Sequence, residues 1–77
     1  MGNVDVTTLS VNYAANVSMN TLDTATTVIL GGGSTVFCLG DFNQGTANTL
    51  NKGARVIADS YSGTDMTAAS GAEKITF

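Results

Sequence analysis

The stretch Thr24-Ala-Thr-Thr-Val-Ile-Leu-Gly-Gly-Gly-Ser-Thr-Val-Phe-Cys-Leu-Gly-Asp41 decides the fold predicted for this chain. It contains two β-branched, apolar runs, residues 26–30 and 35–39, separated by Gly31-Gly-Gly-Ser34. β-Branched residues favour strands, and consecutive glycines allow the positive φ angles of a tight reversal. The pattern therefore predicts a β-hairpin at the centre of one small all-β domain, residues 1–77.

Further strands are predicted on both sides of this hairpin. Residues 4–11 alternate imperfectly, which predicts a first strand with a bulge near residues 7–9. Residues 13–22 are ambiguous, because Tyr13 and Val17 fit a short helix as well as a strand. Residues 55–58 and 73–77 predict two later strands, joined by a long polar loop over residues 60–71. The favoured architecture is an antiparallel meander or small sandwich.

The chain also matches itself at two different offsets. Residues 20–29 resemble residues 48–57, 28 positions later, whereas Asp5, Asp23, Asp41 and Asp59 share an 18-residue step. A fixed step of about 20 residues or more is typical of solenoid repeats. Because the two offsets disagree, a β-solenoid is the second interpretation, and a mixed fold with one helix is the third.

The composition indicates a protein that gains stability by association. A chain of 77 residues is close to the lower limit for a self-sufficient core. Cys38 is the single cysteine and histidine is absent, which rules out an intrachain disulfide and a zinc site. Charged residues make up 12% of the chain, about half of the usual share in soluble domains. Such a surface suits a subunit that is covered by its neighbours.

The charge balance argues against several classes of partner. The net charge is −3, and Lys52, Arg55 and Lys74 are the only cations. Nucleic-acid binding and adsorption to an anionic membrane both require a basic patch, so neither is expected. The N-terminal residues show no secretion signal, and no apolar run is long enough to span a membrane.

Catalytic and metal-binding chemistry finds little support in the residue types. No histidine is available as a general base, and Cys38 lies within an apolar run where a buried, inert thiol is expected. Asp41-Phe-Asn-Gln-Gly-Thr46 and Asp59-Ser-Tyr-Ser-Gly-Thr-Asp65 partly resemble calcium loops. Both lack a third alternating ligand and a closing glutamate, and ordinary turns explain them better. We therefore expect no catalytic residue, metal, cofactor or small-molecule substrate.

An alternative function rests on threonine. Thr24, Thr26 and Thr35 could form a rank on one side of the predicted hairpin. Such ranks can order water against ice or bind a sugar, although threonine is also an ordinary residue of strand surfaces. A small carbohydrate- or ice-binding module is thus the alternative to a structural role.

The chain resembles the small virion structural proteins of tailed bacteriophages in size and composition. It is short and low in charge, rich in Thr, Asn, Gly and Ala, and free of proline and histidine. The resemblance implies a decoration, cement, tail or fibre subunit, present in many copies on a larger shell or tail protein. It also implies assembly in the host cytoplasm and a final location in the virion. A subunit of a non-viral filament or compartment fits the same composition.

Aromatic residues are the expected centres of contact in such an assembly, because aromatics dominate interfaces. Phe37 is expected in the core. The candidate interface residues are Tyr13, Phe42, Tyr61 and Phe77, because the last three are predicted in loops or at the chain end.

Overall fold

A computed structural model describes residues 2–64 and 69–77 of the chain. None of these residues is helical, so this part of the chain has no helix that is long and apolar enough to cross a membrane. The described residues form seven strands: β1 (Asn3–Val11), β2 (Asn16–Met19), β3 (Thr21–Leu30), β4 (Thr35–Asn43), β5 (Ala47–Leu50), β6 (Arg55–Ser62) and β7 (Glu73–Thr76).

All pairings between these strands are parallel, so the prediction of an antiparallel meander or sandwich is wrong. β1 lies beside β3, with Asn3 opposite Thr21. β4 lies beside β6, and β6 lies beside β7. Partners are 18 positions apart at Asn3 and Thr21 and 20 positions apart at Leu22 and Phe42. Each stretch of this length is therefore one coil of a β-solenoid.

The described residues form four coils, and their strands lie on three faces. The first face contains residues 3–6, 21–24, 41–43 and 60–62. The second contains residues 8–11, 27–30 and 47–50, and the third contains residues 16–19, 35–38, 55–58 and 73–76. Because strand side chains alternate, equivalent residues of successive coils form ladders that point either into the solenoid or outward.

The same turn precedes the strand of the third face in every coil. The N–H of the fourth turn residue donates to the carbonyl oxygen of the first at 2.9–3.1 Å in residues 12–15, 31–34, 51–54 and 69–72. The third residue has a positive φ in each: Ala14 (57°), Gly33 (70°), Gly53 (81°) and Gly71 (87°). Glycine adopts this conformation without strain. The glycines that suggested a hairpin thus turn the chain from one face to the next.

The predicted pairing of residues 26–30 with residues 35–39 is consequently wrong. β3 and β4 pair only on the first face, where Leu22 lies opposite Phe42. Gly31 belongs to the turn, and a Cβ atom there would lie 2.7 Å from the backbone nitrogen of Tyr13. Glycine is therefore required at this position by the neighbouring coil rather than by a hairpin reversal.

Apolar ladders fill the interior of the solenoid. Val36, Val56 and Phe42 have no exposed surface, and neither do Val28 and Leu30. Burying a side chain of this size stabilises the fold by about 1.5–3 kcal/mol. Among the described side chains, four polar ones are also buried: Thr24, Ser34, Gln44 and Asn48.

Several local predictions can be compared directly with this fold. The first strand and its bulge are confirmed, since the register of β1 shifts between Val6 and Thr8. The alternative of a helix in residues 13–22 is wrong, because Asn16–Met19 is strand β2. The predicted loop over residues 60–71 is wrong at its start, where β6 continues to Ser62, and residues 65–68 of that loop lie outside the described part.

Candidate interaction surfaces

An apolar strip runs across the outside of the third face. Phe37 lies opposite Ile57, and Ile57 lies opposite Ile75 on the next coil. Leu39 and Phe77 extend the row beyond the ends of the paired segments. Phe37 is 38% exposed, and Leu39 and Phe77 are each 56% exposed. We call these five residues the apolar strip.

The aromatic part of the strip is ordered by stacking. The rings of Phe37 and Phe77 are parallel within 1°, and their centroids lie 5.6 Å apart. The backbone N–H of Phe77 donates to the carbonyl oxygen of Ala58 at 3.2 Å, which holds the end of the chain against β6. The strip is therefore fixed on a sheet before any partner arrives, which lowers the entropic cost of binding.

The four aromatic residues predicted at the interface do not share one surface. Tyr13 is 81% exposed at a turn, and Phe77 belongs to the apolar strip. Phe42 has no exposed surface, so its prediction as a contact residue in a loop is wrong. Tyr61 is half-buried, and its ring meets that of Phe42 edge-on at 6.0 Å.

Sequence reasoning also placed Phe37 in the core, and this is wrong. Phe37 points outward because Val36 and Cys38, its neighbours in β4, point inward. The run Thr-Val-Phe-Cys-Leu is apolar at almost every position, so it does not show which alternate set is buried. The packing of β4 against the rest of the solenoid determines which set is buried.

The two ends of the solenoid have different chemistry. At the N-terminal end, Val4, Val6, Leu9, Ala15 and Val17 pack on the core but are only partly buried. At the C-terminal end, Lys74 occupies the inward ladder that also contains Val17, Val36 and Val56.

Lys74 anchors a polar network at the C-terminal end. Its Nζ atom donates to Oε1 of Gln44 at 2.9 Å and lies 5.5 Å from the centroid of the Tyr61 ring. Asn48 Nδ2 donates to the same Gln44 oxygen at 3.1 Å. The Tyr61 hydroxyl donates to the carbonyl oxygen of Ile75 at 2.7 Å. The interior at this end is therefore closed by polar groups.

Carboxylates on the first face bond to neighbouring coils rather than forming a calcium loop. Asp41 accepts hydrogen bonds from the hydroxyls of Ser60 and Ser62, and Asp23 accepts one from the amide of Asn43 at 2.9 Å. In the described part of the chain, no group of three or more acidic, cysteine or histidine side chains is placed to hold a metal ion. Asp65, which the calcium alternative required, lies outside the described residues.

The three threonines of the predicted ice- or sugar-binding surface do not form a row on one side of the fold. Thr24 is 2% exposed and points into the solenoid. Thr26 is exposed between the first and second faces, whereas Thr35 is half-buried at the start of β4 on the third face. The arrangement predicted for binding ice or sugar is therefore wrong for this set of residues.

Cys38 is enclosed in the core. It has no exposed surface, and its thiol lies 3.3 Å from the carbonyl oxygen of Asp41 and 3.6 Å from that of Asn20. Burial raises the pKa of the thiol. A protonated thiol without access to solvent is a poor nucleophile.

The described surface contains no pocket that could enclose a small molecule. No protein-family model, curated protein or solved structure matches the chain. The apolar strip and the two ends of the solenoid are therefore the surfaces from which a role can be inferred.

Proposed function

We propose that this chain is a non-enzymatic structural subunit of a symmetric assembly, and that the apolar strip is its main contact with neighbouring subunits. The observation that carries the proposal is the stacked, exposed pair Phe37 and Phe77 on the outside of the third face. Large exposed apolar patches of this kind mark interaction sites. Aromatic anchors at such sites provide a large share of the binding free energy.

The charge of the chain supports the same role. Only 12% of its residues are charged, so identical subunits can approach closely with little mutual repulsion. A subunit that binds only the assembled state stabilises that state by mass action. Many copies, each contributing a modest contact, would add considerably to the stability of a shell or tube.

For the setting, we propose a bacteriophage virion, in which the chain decorates or cements a shell or tail protein after assembly in the host cytoplasm. Size, low charge and the absence of proline and histidine support this setting. A non-viral filament or compartment would use the same contacts. Immunogold electron microscopy of the native source distinguishes the two, because label on phage particles supports the virion and label on cellular structures contradicts it.

The role of the strip is tested by sedimentation velocity over a wide range of protein concentration. The test variant is Phe37→Ser combined with Phe77→Ser, and the control is Tyr13→Ser, which removes an aromatic ring that is more exposed than either. We expect the double variant to weaken self-association by at least about tenfold, or ~1.4 kcal/mol. The control should change it by less than about twofold. Equal association of both variants and the wild type would refute the strip as the contact.

A further inference from the structure

The two ends of the solenoid expose different strand edges. Among the described strands, β1 pairs only with β3, and β2 pairs only with β4. The outer edges of β1 and β2 therefore present backbone N–H and C=O groups to whatever lies beyond the first coil. Such edges readily pair with a strand of another chain.

Charge distinguishes the N-terminal end from the C-terminal end. The inward positions of the first coil hold apolar side chains, among them Val4, Val6, Leu9 and Val17. The corresponding ladder ends in Lys74 at the other end. An inward-pointing charge on an edge strand opposes further pairing, because an added coil would enclose the ammonium group. The N-terminal end has unpaired strand edges but no inward-pointing charge to oppose further pairing.

We propose that a second copy of this chain docks on that end, N-terminal coil against N-terminal coil, about a two-fold axis perpendicular to the solenoid. The inference rests on the proposed structural role and names one partner of the subunit. The two-fold operation reverses strand direction, so β1 and β2 of one copy pair antiparallel with those of the other. Both apolar ends become covered, and both Lys74 side chains remain at the outer ends.

The charge pattern selects this arrangement over a head-to-tail stack. In a head-to-tail stack, the first coil of one copy would cover Lys74 of the next and place Val17 against its ammonium group. The two-fold contact avoids that burial and closes after two copies, whereas head-to-tail contacts continue into a fibre.

Distances between spin labels separate the two arrangements. Asn16 and Glu73 are exposed and belong to one ladder, on the first and fourth coils. Each is changed to cysteine in a Cys38→Ala background and labelled, and the distance between copies is measured by pulsed electron paramagnetic resonance. With coils about 4.8 Å apart, the two-fold dimer places the Asn16→Cys labels ~5 Å apart along the axis and the Glu73→Cys labels ~34 Å apart.

A pair of charge variants provides an independent test. Val17→Lys introduces at the N-terminal end the inward charge that Lys74 provides at the other end. Thr76→Lys adds a charge to β7 and is the matched control. We expect Val17→Lys to weaken dimerisation at least about tenfold and the control to change it less than about twofold. Circular dichroism checks that both variants fold, and if Val17→Lys does not, the label distances alone decide the proposal.

Each other outcome has a defined meaning. Equal label distances at Asn16→Cys and Glu73→Cys indicate head-to-tail stacking and overturn the proposal. A short distance only at Glu73→Cys, or no coupling at either site at the highest concentration, also overturns it. The same labels are then measured in the Phe37→Ser, Phe77→Ser variant. If this variant no longer associates and the labels show no contact at the N-terminal end in either protein, the end-to-end dimer is refuted. The proposed function, which depends on the apolar strip, is then left intact.

Discussion

Lys74 and Gln44 join the last two coils of the solenoid, with the Nζ atom of Lys74 2.9 Å from Oε1 of Gln44. Lys74 enters a ladder that is otherwise filled by valines, so the last coil has a charged group where earlier coils have apolar ones. The end of a solenoid requires a polar cap to remain soluble. The contact between Lys74 of the fourth coil and Gln44 of the third provides that cap.

Replacing this lysine should separate its effect on solubility from its effect on folding. Lys74→Met retains a long flexible side chain but removes the charge. We expect the free energy of unfolding to change by no more than about 1–2 kcal/mol, the range for a lost hydrogen bond to a charged group. Self-association should increase, because the edge of the last coil loses its inward charge. Urea unfolding and sedimentation velocity measure the two effects.

Lys52→Met is the matched control, because Lys52 is exposed in a turn. Like Lys74→Met, it removes one positive charge from the chain, but it leaves the interior unchanged. If both variants associate equally, net charge rather than the position of Lys74 controls solubility.

The positive φ of Ala14 predicts a stabilising substitution. The equivalent positions of the other three coils are Gly33, Gly53 and Gly71. An L-residue in the left-handed region costs roughly 1–2 kcal/mol, and glycine avoids most of that cost at a smaller cost in chain entropy. We expect Ala14→Gly to raise the free energy of unfolding by about 0.5–1 kcal/mol, measured by urea denaturation.

The adjacent position provides the control. Ala15 has no positive φ and packs against the core, so Ala15→Gly should destabilise the fold by about 0.5–1 kcal/mol. A decrease in stability in both variants would show that the turn of the first coil is not strained at Ala14.

The sequence was sufficient to predict an all-β chain and most of its strand segments, but not their direction of pairing. β-Branched runs around Val28 and Val36 indicate strands regardless of which neighbour they bond to. Gly31 and its two following glycines fit a hairpin as well as a turn between faces. Backbone contacts with the preceding coil decide between these alternatives, and those contacts are not visible in the local sequence.

The repeat was visible in part, and its irregularity concealed the coils. Asp5 and Asp23 are opposite each other, as the 18-residue step predicts. Asp41 lies opposite Ser60 rather than Asp59, because an irregularity changes the register of β4 and β6. Coils of 18 to 20 residues cannot be superimposed at one fixed offset. The wrong predictions for Phe37 and Phe42 followed from this uncertainty about register. A shift of one residue along a strand moves each side chain from the buried face to the exposed face, or the reverse.

The buried position of Phe42 predicts a large effect of truncation. Phe42 is fully buried and contacts the edge of the Tyr61 ring. Phe42→Ala should lower the free energy of unfolding by about 3–5 kcal/mol, and the milder Phe42→Leu should lower it less. Tyr13→Ala, at the most exposed aromatic residue, should change it by less than about 0.5 kcal/mol. Similar losses in Phe42→Ala and Tyr13→Ala would contradict the burial of Phe42 in the core.

Alkaline pH should destabilise the fold through Cys38 and Tyr61. Burial raises the pKa of both groups in the folded chain. Above about pH 9 the unfolded chain loses these protons while the folded chain retains them, so the free energy of unfolding decreases as pH rises. Below this range both states are protonated and the contribution is fully present.

Denaturation at a series of pH values checks this dependence. Cys38→Ala removes the thiol contribution, so its stability should decrease less steeply between about pH 9 and pH 10 than that of the wild type. Ellman's reagent adds a second readout, since Cys38 should react slowly in the folded protein and rapidly in urea. An unchanged slope in Cys38→Ala would show that the thiol does not contribute.

The stacked rings of Phe37 and Phe77 predict a measurable coupling within the monomer, separate from their role in association. Parallel rings 5.6 Å apart contribute about 0.5–1.5 kcal/mol beyond the area that they bury. A double-mutant cycle with Phe37→Ala, Phe77→Ala and both together should give a coupling in that range. The cycle is measured at a concentration where the chain is monomeric, so contacts between copies do not contribute.

Tyr13→Ala in place of Phe77→Ala gives the control cycle, whose coupling should be close to zero because Tyr13 lies at a turn away from the strip. A coupling near zero in both cycles would mean that Phe77 is not held against Phe37 in the free subunit, and the strip would then form only when a neighbour binds.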